Sequence, residues 1–319
     1  MRIIVTGSAG HLGEALVRVL TDDGHDAVGL DVLRSPFTSI VGSVVDRSCV
    51  QRSLIGADAV IHTATLHKPH IGSHGRQAFI DTNITGTLAL LEESVAAGVG
   101  CFVFTSTTSA FGRALTPQAD DPAVWITEDI VPVPRNIYGV TKLAAENLCE
   151  LVSHDQGLPC VTLRTSRFFP ENDDHDEIRT IYDDLNAKVN EILYRRVDLE
   201  DVVAAHQVAL ERASDIGFGR FIVSATTPFE FGDLAELRVD APAVVSRYFP
   251  EYEDIYSERG WKMFPSIDRV YVNSRASSVL GWVPRYDFGY ALEQLRAGHD
   301  PFSPLAKTVG VKGYNNTPT

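Results

Sequence analysis

A doubly wound α/β fold, with a parallel sheet covered by helices on both faces, is predicted by three features of the sequence. Short apolar runs alternate with amphipathic stretches, a glycine-rich turn follows the first run directly, and an aspartate closes the second run. Strands are expected at residues 2–6, 27–30, 59–61, 101–105 and 160–163. Between them, residues 12–20, 78–97 and 140–152 carry apolar side chains at three- and four-residue spacing, as helices with one buried face do. Right-handed crossovers then stack those helices on both faces of the sheet.

The character of the chain changes after Pro170, where ENDDHDEIRTIYDD is acidic and polar. Residues 1–170 are therefore read as the first domain and residues 171–319 mainly as a smaller second one, with a strand near 220–224 returning to the first. At 319 residues and 44% hydrophobic, the chain is large enough for one large core or two unequal ones. Residues 301–319, rich in Pro, Gly, Asn and Thr, read as a frayed tail or a lid.

Composition excludes several classes of function. A formal net charge of -14, relieved by no basic run, repels a phosphate backbone, so nucleic acid is not an expected partner. No apolar run reaches the roughly 18 residues of a membrane span. The first residues, MRIIVTGSAG, already read as strand and turn, leaving no room for a signal peptide, and the expected location is cytoplasmic. Cys49, Cys101, Cys149 and Cys160 stand singly, as reduced thiols do, without the pairing of a disulfide framework or zinc site.

Gly7-Ser8-Ala9-Gly10-His11-Leu12-Gly13 follows the first strand and opens a helix. The first glycine permits a tight turn, the second lets backbone approach a pyrophosphate, and the third lets helix and strand pack closely, while the helix N-terminus supplies amides and positive dipole. Asp31 ends the second strand, where a carboxylate accepts hydrogen bonds from the ribose hydroxyls of adenosine and repels a 2′-phosphate. NAD is the expected cofactor, with Arg34 the one feature in favour of NADP.

Tyr138-Gly139-Val140-Thr141-Lys142 sets a phenol and an ammonium four residues apart, on one face of a helix. A free tyrosine is a poor base at neutral pH, and a neighbouring cation favours its phenolate. Lys142 is expected to supply that cation.

Taken together in order, these motifs resemble the extended short-chain dehydrogenases/reductases, specifically the NAD-dependent epimerase/dehydratase family. The resemblance also rests on Ile61-His62-Thr63-Ala64, on Asn83 in DTNITGT, on FVFTSTTSAFG and on VLGWVPRYDF near the end, and so covers nearly the whole chain. It implies a Rossmann-type fold, bound NAD and a substrate whose hydroxyl loses a proton to Tyr138 as its carbon loses hydride. It also implies that Thr107 hydrogen-bonds the substrate oxygen, with Thr108 the neighbouring alternative, and that Lys142 holds the nicotinamide ribose. Thr63, Ala64, Thr65 and Thr105 would line the nicotinamide side, Ser43 and Val44 the adenine side, and Asn83 would tie backbone together. A homodimer built on the helices flanking the Tyr-Lys pair is implied as well.

The departures from the family pattern narrow the chemistry. Thr108 and Ser109 stand where dehydratases of the family carry an Asp-Glu pair, and the Cys of the epimerase-reductases is absent from the same motif. Leu163-Arg164-Thr165-Ser166-Arg167-Phe168-Phe169-Pro170-Glu171 places Arg167 where nucleotide-sugar epimerases have Asn, and its Pro-Glu ending is similar to uronate dehydrogenases. An arginine there can pair with a carboxylate or a phosphate. His67, His70 and His74 are read as pocket or loop residues rather than a metal site, with His67 facing the substrate. Arg195, Arg196 and Arg269 are further candidates for a substrate anion, and Tyr252, Tyr256 and Trp261 fit core or pocket equally. The resulting reading is a sugar or nucleotide-sugar 4-epimerase. The alternatives are a sugar or uronate dehydrogenase that releases NADH and a non-catalytic NAD sensor.

Overall fold

The structure, a computed structural model, describes residues 1–173 and 175–313. From the N-terminus the chain runs β1 (Arg2–Thr6), α1 (His11–Asp22), β2 (Asp26–Asp31), β3 (Ile40–Val41), α2 (Arg47–Ser53) and β4 (Ala59–His62). It continues through α3 (Arg76–Ile80), α4 (Gly86–Ala97), β5 (Cys101–Thr107), β6 (Val124–Ile126), α5 (Ile137–Gln156) and β7 (Cys160–Thr165). The second half contributes α6 (Asp176–Ile181), α7 (Asp184–Ile192), α8 (Leu199–Ile216), β8 (Phe218–Val223), α9 (Leu234–Leu237), α10 (Ala241–Tyr248), α11 (Tyr252–Arg259), β9 (Arg269–Tyr271), α12 (Phe288–Arg296) and α13 (Pro304–Val309).

Seven strands form one parallel sheet in the order β3-β2-β1-β4-β5-β7-β8. Successive strands move outward from β1 to β3, and the chain then returns to the other side of β1 with β4. That reversal opens a crevice beyond the carboxyl ends of β1 and β4, the place where ligands bind in folds of this kind. Strand residues on both faces of the sheet are buried, because α1 and α8 cover one face with Leu12, Leu16, Val202 and Ala209, while α2, α4 and α5 cover the other with Val50, Leu90, Leu91, Ala145 and Cys149. The strands at 2–6, 27–30, 59–61, 101–105, 160–163 and near 220–224 all form, several of them running one to three residues longer than the apolar runs alone indicate.

The helical run expected at 78–97 is not uniform: a π-helical turn, Asp81–Thr85, joins α3 to α4. The turn carries Asn83, whose buried side chain accepts from the Leu66 amide and donates to the Leu66 carbonyl and to Thr141 Oγ1. A polar side chain with three partners outside its own helix is better served by a local widening than by a regular turn.

A second core lies over the carboxyl ends of the strands, built from Val189 and Ile192 of α7, Leu237 of α9, Val244 and Val245 of α10 and Leu292 of α12. Ala123 joins it from the first half of the chain, while Ala276, Leu280, Trp282 and Val309 pack back into the sheet's own core. A parallel pair of short strands, β6 and β9, ties the two halves together. Tyr252 and Tyr256 are buried in this second core and Trp261 packs against it, which assigns all three to packing. The four cysteines are buried and unpaired. Among the described residues, no helix is long and apolar enough to cross a membrane.

Candidate active site

The turn from Gly7 to Gly13 is shaped by close backbone approach. Gly7 has φ +74, and a Cβ placed on it would stand 2.7 Å from Thr63 Oγ1, while a Cβ on Gly13 would stand 2.0 Å from the Gly7 carbonyl oxygen. Only glycine allows β1, β4 and the start of α1 to converge so tightly. Gly10 caps α1 with its backbone alone, and no side chain of the described residues hydrogen-bonds the helix N-terminus. The first-turn amides are thus left to a ligand, and the dipole favours an anionic one. Asp31, at the end of β2, accepts hydrogen bonds from the Ala9 and Leu33 amides, each at 2.9 Å, which aims its carboxylate along the edge of the same crevice.

One cavity of about 530 Å³ runs from this turn across the carboxyl ends of the strands. Gly7, Gly10, His11, Leu12, Gly13 and Asp31 line one stretch of it, with Ser43 and Val44 beside them. Thr63, Ala64, Thr65 and Thr105 line the stretch that leads to Thr107, Thr108 and Tyr138, and His67, Arg167 and Arg269 line the remainder. Uncapped amide donors, an accepting carboxylate and a run of hydroxyl groups are the hydrogen-bonding set a dinucleotide requires.

Tyr138 and Lys142 both project from α5, whose first turn is capped by Asn136 accepting from the Gly139 amide. Tyr138 faces the cavity, and Lys142 does not: it is buried one turn behind, with Nζ 4.0 Å above the Phe104 ring. Burial pushes the Tyr138 phenol up to about 12, while a hydrogen bond with the Thr107 side chain pulls in the opposite direction. Burial also pushes the Lys142 ammonium down to about 7, opposed by Glu146 one turn further along α5. The sequence predicts that Lys142 drives the phenol toward phenolate. In the structure the ammonium is itself desolvated beside the ring of Phe104, and the Thr107 hydrogen bond is a further pull on the phenol.

Of the two threonines at the end of β5, Thr107 is the one engaged with Tyr138, and its hydroxyl also accepts from the Ser109 amide. Thr108 is directed to the Thr165 carbonyl at 3.4 Å. Thr105 Oγ1 lies 2.7 Å from His206 Nε2, and the other ring nitrogen of His206 lies 2.7 Å from the Val202 carbonyl, which fixes a neutral tautomer that accepts from Thr105. Burial lowers His206 to about 4, in keeping with that neutral ring.

The guanidinium groups along the remainder of the cavity are already paired. Arg167 donates to Asp173 at 2.9 Å, Arg195 pairs with Glu191 at 2.7 Å, and Arg269 pairs with Asp268 at 3.2 Å. Arg196 lies outside the cavity, buried against Glu191 at 2.8 Å. Three arginines therefore reach the cavity, Arg195 among them, while Arg196 serves the frame. The His67 ring stacks on Phe169 with centroids 5.5 Å apart and meets His70 edge-on at 4.4 Å. Among the described residues, no group of three or more His, Cys, Asp or Glu is placed to hold a metal ion.

Sequence reasoning missed the residues that close the cavity over the turn. Glu171 is buried and lies 2.8 Å from His11 Nε2, and its carboxylate accepts from the backbone amides of Lys312 and Gly313. Lys312 and Gly313 line the cavity, so the stretch read as a tail or lid is docked as far as Gly313, and residues 314–319 lie outside the described ones. Their composition resembles that of any polar terminus and carries no signal for a partner nearly 300 residues away.

Known proteins match this chain on sequence and on fold. It is 33% identical to a UDP-glucose 4-epimerase of Erwinia amylovora over 166 residues, 46% of this chain and 47% of that protein. The chain thus spans about half the length of the first curated relatives it matches. Over nearly the full length it is 26% identical to a UDP-glucose 4-epimerase of Lactobacillus helveticus, covering 90% of this chain and 93% of that one. A solved short-chain dehydrogenase/reductase superfamily protein from Agrobacterium tumefaciens, with bound NAD, shares the fold with a TM-score of 0.66 at 23% identity, covering 92% of this chain and 96% of that one. The sequence profile of the NAD dependent epimerase/dehydratase family matches residues 3–223, which contain the glycine turn, Asp31, Thr107, Tyr138 and Lys142. The chain belongs to the NAD-dependent epimerase/dehydratase family, and its cofactor is NAD.

Proposed function

We propose that the protein oxidises and re-reduces a hydroxyl-bearing carbon of a sugar or nucleotide sugar, with 4-epimerisation as the net reaction. The observation that carries this reading is the pairing of Tyr138 with Thr107 on the cavity wall that continues from the dinucleotide turn. Bound NAD supplies hydride acceptance and return. The chain supplies the proton chemistry and the positioning. Burial holds the phenol near 12 and the Thr107 hydrogen bond opposes that burial by favouring the phenolate, the form of Tyr138 that takes the hydroxyl proton in the oxidation; the phenol so formed returns that proton to the keto oxygen in the re-reduction. Thr107 also stands where it can hydrogen-bond the substrate oxygen as charge develops on it. Similarity to two UDP-glucose 4-epimerases, one of them over most of the chain, supports epimerisation as the outcome.

A second reading, a dehydrogenase that releases NADH, is favoured by one observation. Arg167, Arg195 and Arg269 bring three guanidinium groups to the cavity beyond the histidine loop, a lining suited to the carboxylate of a free sugar acid. Purified protein supplied with NAD and a panel of nucleotide sugars, free sugars and uronic acids separates the two. An isomer formed with no net NADH supports the epimerase; stoichiometric NADH supports the dehydrogenase; neither product from any substrate sinks both. The protein is further proposed to act as a homodimer in the cytoplasm, without nucleic acid or membrane partners. Exposed Val140 and Leu151 on α5 and four buried, unpaired thiols support that setting.

A further inference from the structure

The C-terminal segment beyond α13 returns to the opposite end of the sequence. Lys312 Nζ donates to Glu14 Oε2 at 2.5 Å, and the Lys312 and Gly313 amides both donate to Glu171 Oε1 at 3.2 Å. Glu171 in turn meets His11 at 2.8 Å, and His11 and Glu14 belong to the first turn of α1. Three segments from remote parts of the chain are thereby locked together at a helix end that has no side-chain cap. Lys312 and Gly313 form part of the cavity wall there, beside Gly10 and His11.

The charges at this point explain why a lysine is useful. A buried carboxylate in the first turn is stabilised by the positive end of the helix, and it competes for that potential with any anionic ligand bound to the same amides. Glu14 is buried, and Glu171 adds a second buried carboxylate within reach of His11. Arg18 pairs with Glu14 Oε1 at 2.7 Å, and Lys312 takes the other carboxylate oxygen. With Lys312 in place, Glu14 and Glu171 have two permanent cations among their partners; without it, Arg18 is the one permanent cation left to Glu14 beside the pyrophosphate turn.

We propose that Lys312 and Gly313 are part of the dinucleotide site: a C-terminal clasp, held by Glu171 and Glu14, that neutralises the carboxylates beside the pyrophosphate turn and slows release of NAD. The proposal rests on NAD binding and is independent of which sugar is turned over. Lys312 and Gly313 lie outside residues 3–223, the span the family profile matches.

The test follows NAD itself, by calorimetric Kd and by the rate at which unlabelled NAD displaces labelled NAD from the full-length protein. Lys312→Ala, Lys312→Arg and a chain ending at Gly310, which keeps α13 whole, are compared with wild type, and each is checked for an unchanged melting temperature without NAD. The expected result is about tenfold or more faster release in Lys312→Ala and in the shortened chain, with recovery in Lys312→Arg. Release within twofold of wild type in both of the first two overturns the clasp. Absence of NAD binding in the wild-type protein would instead overturn the assignment of the site as a whole.

Discussion

Tyr138 and Lys142 stand one helical turn apart on α5, yet only the tyrosine reaches the cavity, because the lysine's ammonium is held 4.0 Å above the ring of Phe104. This separates the two side chains: the phenol lines the cavity, and the ammonium is buried one turn behind it. Replacing Tyr138 by Phe removes the proton donor and leaves ring packing intact. Turnover is expected to fall by about a thousandfold, while the Kd for NAD stays within a few fold and the melting temperature moves little. An active Tyr138→Phe enzyme would show that another group carries the proton.

The same burial makes Lys142 a reporter of pH. Its pKa is about 7 in the folded protein against 10.5 in a solvated lysine. Between those values the unfolded chain holds more protons than the folded one, so stability rises with pH from about 7 and levels off near 10.5. Lys142→Met, apolar and of similar length, is expected to flatten that rise. Urea unfolding of wild type and variant across this range checks it; an equal slope in both would show that the ammonium is solvated in solution. His206 acts at the acid end: held near 4 and neutral, it charges readily only when unfolded, so stability falls as pH drops below 6.5.

Most of the sheet and its cofactor edge are legible in the sequence because local rules dictate them. Burial on both faces forces continuous apolar strands, and the crowded approach at Gly7 and Gly13 admits no other residue. The place of Asp31 on the cavity wall follows from its position at a strand end. What escapes the sequence depends on long-range geometry. The two-residue β3 has too little pattern to be seen, and β6 and β9 exist only because they pair across roughly 145 residues. The inward displacement of Lys142 cannot be read from a four-residue spacing, which fixes the face of a helix but not how far the cavity reaches along it. The docking of Lys312 on Glu14 is likewise a property of the fold alone.

Asp31 does two things at once: its oxygens hold the Ala9 and Leu33 amides, and its charge faces the cavity. Asp31→Asn keeps one acceptor and loses the charge. The expected cost to stability is about 2 kcal/mol, since one of the two charge-assisted hydrogen bonds is replaced by an amide donor facing an N–H and the other is weakened. Preference for NAD over NADP should shrink by about tenfold, because the repulsion of a 2′-phosphate is gone. Paired Kd measurements for the two dinucleotides check this, and an unchanged ratio would place cofactor choice in another residue.

The exposed apolar positions on α5 bear on assembly. Val140 is 48% exposed and Leu151 51% exposed, and their spacing of eleven residues returns to nearly the same helix face. If that face joins two copies, light scattering of the wild type gives twice the 34.9 kDa chain mass. Leu151→Glu would then shift the protein toward the single-chain mass without loss of fold by circular dichroism. A wild type that is already monomeric at micromolar concentration rules the interface out.

Gly10 and Gly13 offer the sharpest contrast in the turn, because a methyl group added to each meets opposite surroundings. At Gly13 the new carbon would lie 2.0 Å from the Gly7 carbonyl oxygen, backbone against backbone with no flexible side chain to yield. Gly13→Ala must push α1 away from β1, and a loss of about 3 kcal/mol in stability is expected before any ligand is considered. At Gly10 the nearest atom is the same oxygen at 3.2 Å, a contact that relaxes with a small shift, and the rest of the methyl faces the cavity. Gly10→Ala should therefore stay folded, within about 1 kcal/mol of wild type. It should bind NAD at least tenfold more weakly, because the methyl occupies the space through which backbone approaches the pyrophosphate. Chemical denaturation and NAD titration of both variants read the two effects separately. If Gly10→Ala bound NAD as tightly as wild type, the dinucleotide would not pass over this turn.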